Sequence, residues 1–237
     1  PFSQAWATLG QGLPRPNAIL VVSAHWITRG TTLVDVSALP RTIHDFNGFP
    51  DALYAEQYPA QGHPDLAREV VSLLASHRAE EDDTWGLDHG AWAVLKYLYP
   101  EADVPAFQVS IDMGQGLAHQ LEIGQALSDL RDRGVLILGS GNIVHNLRRL
   151  SFDGKPEAFA LEFDDLVTGR LIERDFDTLA NRGKLGSLLT EAHPSVDHYL
   201  PALTIAGASD QRNDLLFMTD SIDLGSISMR SFIFHPK

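Results

Sequence analysis

Ala18-Ile19-Leu20-Val21-Val22-Ser23-Ala24-His25-Trp26 is the stretch from which the rest of the chain reads. Residues 18–22 are all apolar and three of them are β-branched, which favours an extended backbone. A strand that is apolar on both faces must be covered on both sides, so it belongs at the centre of a sheet with helices above and below. His25 follows almost directly. In such sheets ligands gather at the carboxyl ends of the strands, so the residue that ends the apolar run is already a candidate site residue.

Working outward, Thr32–Val36 and Ala106–Ser110 read as further strands, and Val135–Leu138 as a buried strand running into Gly139-Ser140-Gly141. Helical periodicity covers Asp65–Ala79, with Pro64 placed to start it, and Gly90–Tyr99, ended by Pro100. It returns over Leu117–Asp132, ended by Gly134, over Ala158–Ala180 as one long helix or two short ones, and over Pro201–Ala208. Leu215–Met218 and Ser226–Phe232 read as a closing pair of strands. No repeat, low-complexity tract or linker divides the chain, so residues 1–237 read as a single α/β domain.

Composition narrows the function. A chain of 237 residues should bury roughly 70–75% of its unfolded surface and needs no staple. Cysteine is absent, which removes disulfide scaffolds, thiolate zinc sites, iron–sulfur clusters and cysteine nucleophiles together. With 31 acidic against 18 basic residues the net charge is −13. That surface repels phosphate backbones and anionic lipid, so neither nucleic acid nor membrane is an expected partner. No apolar run approaches the roughly 20 residues of a membrane span, and a cytoplasmic location is expected.

Ten histidines carry the chemistry. His77 and His235 read as solvated, and His63 and His193, each before a proline, as loop residues. His25, His44, His89, His145 and His198 stand at element ends or in Gly/Pro-rich turns. Any one of these alone is more often a packing residue than a ligand. Several of them in a chain without cysteine favour an imidazole-rich metal site over acyl transfer. Asp88 beside His89 and Asp197 beside His198 suggest orienting carboxylates, although sequence neighbours can equally point apart. Gly139-Ser140-Gly141 lacks the full spacing of a hydrolase nucleophile turn, and no phosphate loop or dinucleotide fingerprint is present.

An ordered set of segments carries a family resemblance. Ser23-Ala24-His25-Trp26, Thr42-Ile43-His44-Asp45-Phe46 with Gly48-Phe49-Pro50, and Leu53-Tyr54 with Tyr58-Pro59-Ala60 come first. Gly86-Leu87-Asp88-His89-Gly90-Ala91-Trp92, Tyr99-Pro100, Gly139-Ser140-Gly141 with His145-Asn146-Leu147-Arg148, and His198-Tyr199-Leu200-Pro201 follow. Together they resemble the LigB-type (class III) extradiol ring-cleavage dioxygenases, in the DOPA 4,5-dioxygenase-like branch, from about Leu13 to Met229. The resemblance implies a single α/β domain around a central mixed sheet flanked by helices, with one divalent metal ion per chain. It implies His25 and His198 as metal ligands and His145 as a further ligand or the acid/base beside the metal. His89 would handle protons or touch substrate, and His44 would line the pocket. The metal would be Fe(II) for ring cleavage, or Zn(II) as bound in some members.

The family's first ligand is a His in an N-terminal Gly-His-Gly strand, a motif this sequence lacks; Gly62-His63-Pro64 lies beyond His44. The expectation is therefore a chain that starts inside a longer protein, with an incomplete metal site. The expected activity is extradiol opening of a catechol-type, DOPA-like ring with O₂. A neutral imidazole takes a catechol proton and later returns it, with His145 first choice and His89 second. Arg148, beside Arg149, would hold a substrate carboxylate. Two alternatives remain at this point: a zinc-dependent hydrolase with His145 as base, and a metal-free catechol-binding protein. A homodimer is compatible with the size.

Overall fold

The computed structural model describes residues 1–237. Its backbone contacts fall into two compact units, one of residues 1, 3–115 and 126–140, the other of residues 2, 116–125 and 141–237. No helix is long and apolar enough to cross a membrane.

The first unit holds α1 (Phe2–Gly12, from its second residue), β1 (Ala18–Thr28), β2 (Thr32–Asp35), α2 (Asp51–Tyr54) and α3 (Pro64–Leu73). It continues with β3 (Ala79–Asp82), α4 (His89–Leu98), β4 (Ala106–Asp112) and β5 (Val135–Ser140). The sheet order is β3-β2-β4-β1-β5. β1 runs parallel to β4 and β5, β2 parallel to β3, and β2 meets β4 antiparallel. The α/β class with a central mixed sheet flanked by helices is thus as expected, and β1 lies inside the sheet. Its residues from Ala18 to Ala24 are buried, because both faces are covered: Ile19 and Val21 pack with Leu87, Ala91, Trp92 and Leu95 in one apolar cluster.

Besides the short α2, two elements of this unit gave no sequence signal. β3 is acidic, Ala79-Glu80-Glu81-Asp82, and sits at the sheet edge. Charges there discourage pairing with another chain, which is also why no apolar alternation marks it. α1 has no fully buried residue and meets the core through partly buried Trp6 and Leu9 and, at Gly10, the backbone of Leu98. Two predicted helices are shorter than expected. α3 stops at Leu73 and yields to a 3-10 turn ending at left-handed Arg78, and the helix from Leu117 stops at Leu127 before a 3-10 stretch closed by Gly134.

The second unit contains α5 (Leu117–Leu127, up to Gln125), α6 (Ala158–Glu173), α7 (Phe176–Leu179), α8 (Arg182–Ala192) and α9 (Leu200–Ala208). Strands β6 (Asn213–Thr219), β7 (Ile222–Asp223), β8 (Ile227–Ser228) and β9 (Ser231–Pro236) complete it. α8 was not foreseen: Asn181 caps it, yet Gly186 adopts φ 62°, ψ −149° inside it and breaks the period. The closing strands pair partly as expected. β6 pairs antiparallel with β9, which takes in Ser231 and Phe232 from the expected 226–232 strand, while Ile227–Ser228 pairs with β7. Between them Arg230 is tied through Nε (2.8 Å) and Nη2 (2.5 Å) to the buried Asp164 carboxylate.

Candidate active-site residues

The first histidine group is built by an irregularity in β1. Val22 pairs with Val109, but the next pair is Ile27 with Ile111, so β1 spends more residues than β4 between them. Such irregularities re-aim side chains, and the segment holds Ser23 and His25. Ser23 Oγ donates to Asp88 Oδ1 at 2.7 Å and accepts from the His25 backbone N–H at 3.2 Å.

Asp88 does not orient its neighbour His89. It caps α4, accepting from the Ala91 N–H at 3.1 Å, and its second oxygen takes Gln108 Nε2 at 3.0 Å and Trp85 Nε1 at 3.4 Å. An N-cap side chain folds back over the first turn, so the residue beside it projects elsewhere. His89 is held instead by Asp45. The Asp45 Oδ1 accepts the His89 backbone N–H and Oδ2 accepts from its Nδ1, both at 2.9 Å. Burial alone would raise the Asp45 carboxyl, but the bonds from the His89 ring and backbone outweigh it and hold the group below the usual carboxylate range.

The Asp45 loop is stitched in place. Ile43 N–H donates to Leu87 O and Leu87 N–H to Arg41 O, each at 2.8 Å, and Trp92 Nε1 donates to Ile43 O at 2.8 Å. The His25 and His89 rings have centroids 3.8 Å apart at 47°. Gly90 permits this approach: a Cβ there would lie 2.5 Å from Ser23 Oγ and 2.9 Å from His25 Cδ2. His44 stands nearby with its Nε2 on Glu56 O at 2.9 Å, among Phe46, Tyr54 and Trp92. Phe46 also meets the edge of His89, at 5.5 Å.

The second group lies in the other unit. His145 and His198 stack with centroids 3.5 Å apart and planes within 4°. His198 Nδ1 is 2.9 Å from Asn142 Oδ1, and Asn142 Nδ2 donates to Ser228 O at 2.8 Å. Because the amide nitrogen is used on a carbonyl, Oδ1 is the acceptor and His198 Nδ1 carries the proton. In the neutral ring Nε2 then bears the lone pair a metal needs. Asp197, the sequence neighbour, has no part in this. Gly141 lets the backbone close up, since a Cβ would lie 2.3 Å from His198 O.

His193 sits behind this pair and is a packing residue, 2% exposed, with Nε2 on Ile143 O at 2.7 Å. Burial pushes its pKa down to about 4. His63 caps α3 through Nδ1. Arg148 is exposed, in a short 3-10 turn, whereas Arg149 is engaged by Glu157 at 2.8 Å.

Sequence reasoning therefore found the histidines and missed their holders, Asp45 and Asn142. Asp45 stands in a quoted segment and Asn142 just after Gly141, but nothing local distinguishes them from loop polar residues. The donor chemistry fits a divalent ion. His25, Asp45 and His89 bring one donor atom each within 4.8 Å of one another, and imidazole with carboxylate suits Fe(II) or Zn(II).

Comparison with known proteins agrees with the residues. Residues 3–222 match the family described as the catalytic LigB subunit of aromatic ring-opening dioxygenase. The chain is 42% identical over 240 residues to a 4,5-DOPA dioxygenase extradiol of Escherichia coli (strain K12), covering 97% of this chain and 86% of that protein. It is 36% identical to a protein of the same description from Beta vulgaris, over 93% of this chain and 83% of that one. A crystal structure of an uncharacterized protein from Escherichia coli K12 superposes with a TM-score of 0.83 at 38% identity, covering 97% of this chain and 91% of that one.

Proposed function

Because the chain belongs to the LigB family and is an aromatic ring-opening dioxygenase, we propose that it opens a catechol-type, DOPA-like ring beside one hydroxyl, with O₂. The observation that carries this reading is the anchoring of two histidines through one ring nitrogen each, His89 by Asp45 and His198 by Asn142. Such anchoring fixes which nitrogen binds or accepts a proton.

The metal would be Fe(II), with Zn(II) as the redox-inactive occupant, and its bound form supplies the redox chemistry that O₂ requires. His25 in the first unit, and His198 and His145 in the second, are each proposed as a metal-ligating residue, each to be tested by loss of metal retention on substitution. His145 and His89 are proposed to move protons. A catechol hydroxyl gives up its proton to a neutral imidazole, and the imidazolium returns it as the ring opens. The aromatic surroundings of His44 favour a flat apolar ring, and its Nε2 is on Glu56 O. The exposed Arg148 guanidinium would hold a substrate carboxylate.

No feature of either histidine group favours the hydrolase or the metal-free binder over ring opening. The proposal extends to a cytoplasmic homodimer, to be tested by cell fractionation and sedimentation.

Oxygen uptake by Fe(II)-loaded protein with DOPA, caffeate and protocatechuate tests the reading. One O₂ consumed per yellow ring-opened product is expected. No uptake with any of them, despite one bound Fe(II) per chain, would overturn it.

A further inference from the structure

We propose that Asp45 is the positioning residue of His89: its carboxylate grips the backbone N–H and the ring of the same residue and so fixes the Nδ1–H tautomer, making Nε2 the proton-accepting atom. The catalytic half of this statement rests on the reading of His89 as a proton-handling group; the tautomer does not.

An ionised carboxylate only accepts hydrogen bonds. With Oδ2 at 2.9 Å from Nδ1, the ring nitrogen facing it must carry the proton. Oδ1 takes the backbone N–H of the same histidine, one of the orphan donors of the first turn of α4. Two bonds from one carboxylate to one residue fix both the backbone entry of the helix and the rotation of the ring. Asp88 cannot serve, because both of its oxygens are committed to Ser23, Ala91, Gln108 and Trp85. To the other imidazole Asp45 makes no hydrogen bond: its Oδ2 is 3.7 Å from His25 Nδ1, an ion-pair distance. With one bond from each oxygen to His89, Asp45 is placed as its holder.

The test is Asp45→Asn, which keeps size. Its Oδ1 can still accept the His89 N–H, but its Nδ2 then faces Nδ1 and donates, driving the ring to the Nε2–H tautomer. Long-range ¹H–¹⁵N spectra of metal-free protein at about pH 9, where imidazole is neutral, read this directly, with the His89 signals assigned by their loss in His89→Gln. Nδ1–H in the wild type and Nε2–H in D45N are expected. Nε2–H in the wild type, or one tautomer in both proteins, would overturn the proposal. Should D45N fail to fold by near-ultraviolet circular dichroism, Asp45→Glu decides: its carboxylate should keep Nδ1–H, and Nε2–H there overturns the proposal.

In turnover, D45N should lose about 10²-fold or more in kcat, with KM and bound metal unchanged and with activity recovered in D45E. A raised KM at unchanged kcat, or lost metal, would make Asp45 a substrate-binding residue or a ligand and end the proposal. If the wild type opens no catechol, the functional reading falls, and the tautomer measurement still decides this one.

Discussion

His198 and Asn142 hold each other at two points: the imidazole Nδ1 donates to the amide Oδ1 at 2.9 Å, and the asparagine backbone N–H donates to the His198 carbonyl, also at 2.9 Å. The first bond sets the tautomer and the second fixes the distance between the two chain segments. Asn142→Leu keeps the volume and removes the acceptor. Metal affinity should fall about 10–100-fold, the usual effect of losing such a partner, as read by competition with a chromophoric chelator. Unchanged affinity would mean that His198 needs no holder.

Gly90→Ala places a methyl 2.5 Å from Ser23 Oγ and 2.9 Å from His25 Cδ2. The N-terminus of α4 must retreat from β1, at a cost of about 1–3 kcal/mol, and ring-opening activity should fall with it. Gly169, inside α6, has nothing within 4 Å of its Cβ position. Gly169→Ala should stabilise by about 0.5–1 kcal/mol through helix propensity. Urea denaturation of both variants checks the contrast.

Asp164 accepts from Ser228 Oγ at 2.6 Å as well as from Arg230, in surroundings where the two charged side chains are 3% and 10% exposed. Asp164→Ala leaves a nearly buried guanidinium without its partner and should cost about 3–5 kcal/mol. Replacing both residues by apolar ones of similar size should recover most of the loss. Ser228 also supplies the carbonyl that anchors Asn142, so the single variant should weaken metal retention too, measurable with the same chelator.

Stability should fall in mild acid through His193. Its folded-state pKa is about 4, below the ordinary value near 6.5, so the unfolded chain binds the proton first. The contribution is complete above about pH 6.5, declines as pH falls toward 4, and is gone below that. About 3 kcal/mol is at stake. His193→Gln preserves a donor for the Ile143 carbonyl and should flatten this part of the profile, as followed by urea midpoints between about pH 8 and pH 4.

What the residues determine by themselves is the centre of the fold and the chemical type of the site. An apolar, β-branched run such as 18–22 has only one comfortable place, inside a covered sheet; the strand itself continues past Ser23 and His25 to Thr28. Ten histidines and no cysteine likewise restrict any metal to imidazole and oxygen donors. The holders were decided by tertiary structure alone. Adjacent residues at a helix start share no face, so Asp88 turned to the Ala91 N–H as a cap while His89 found Asp45, 44 residues away. His198 passed over Asp197 for Asn142, 56 residues away. Edge strand β3 and kinked α8 were hidden for a related reason. Pairing at a sheet edge and packing around a broken helix rest on neighbours brought in by the fold, and no local period records them.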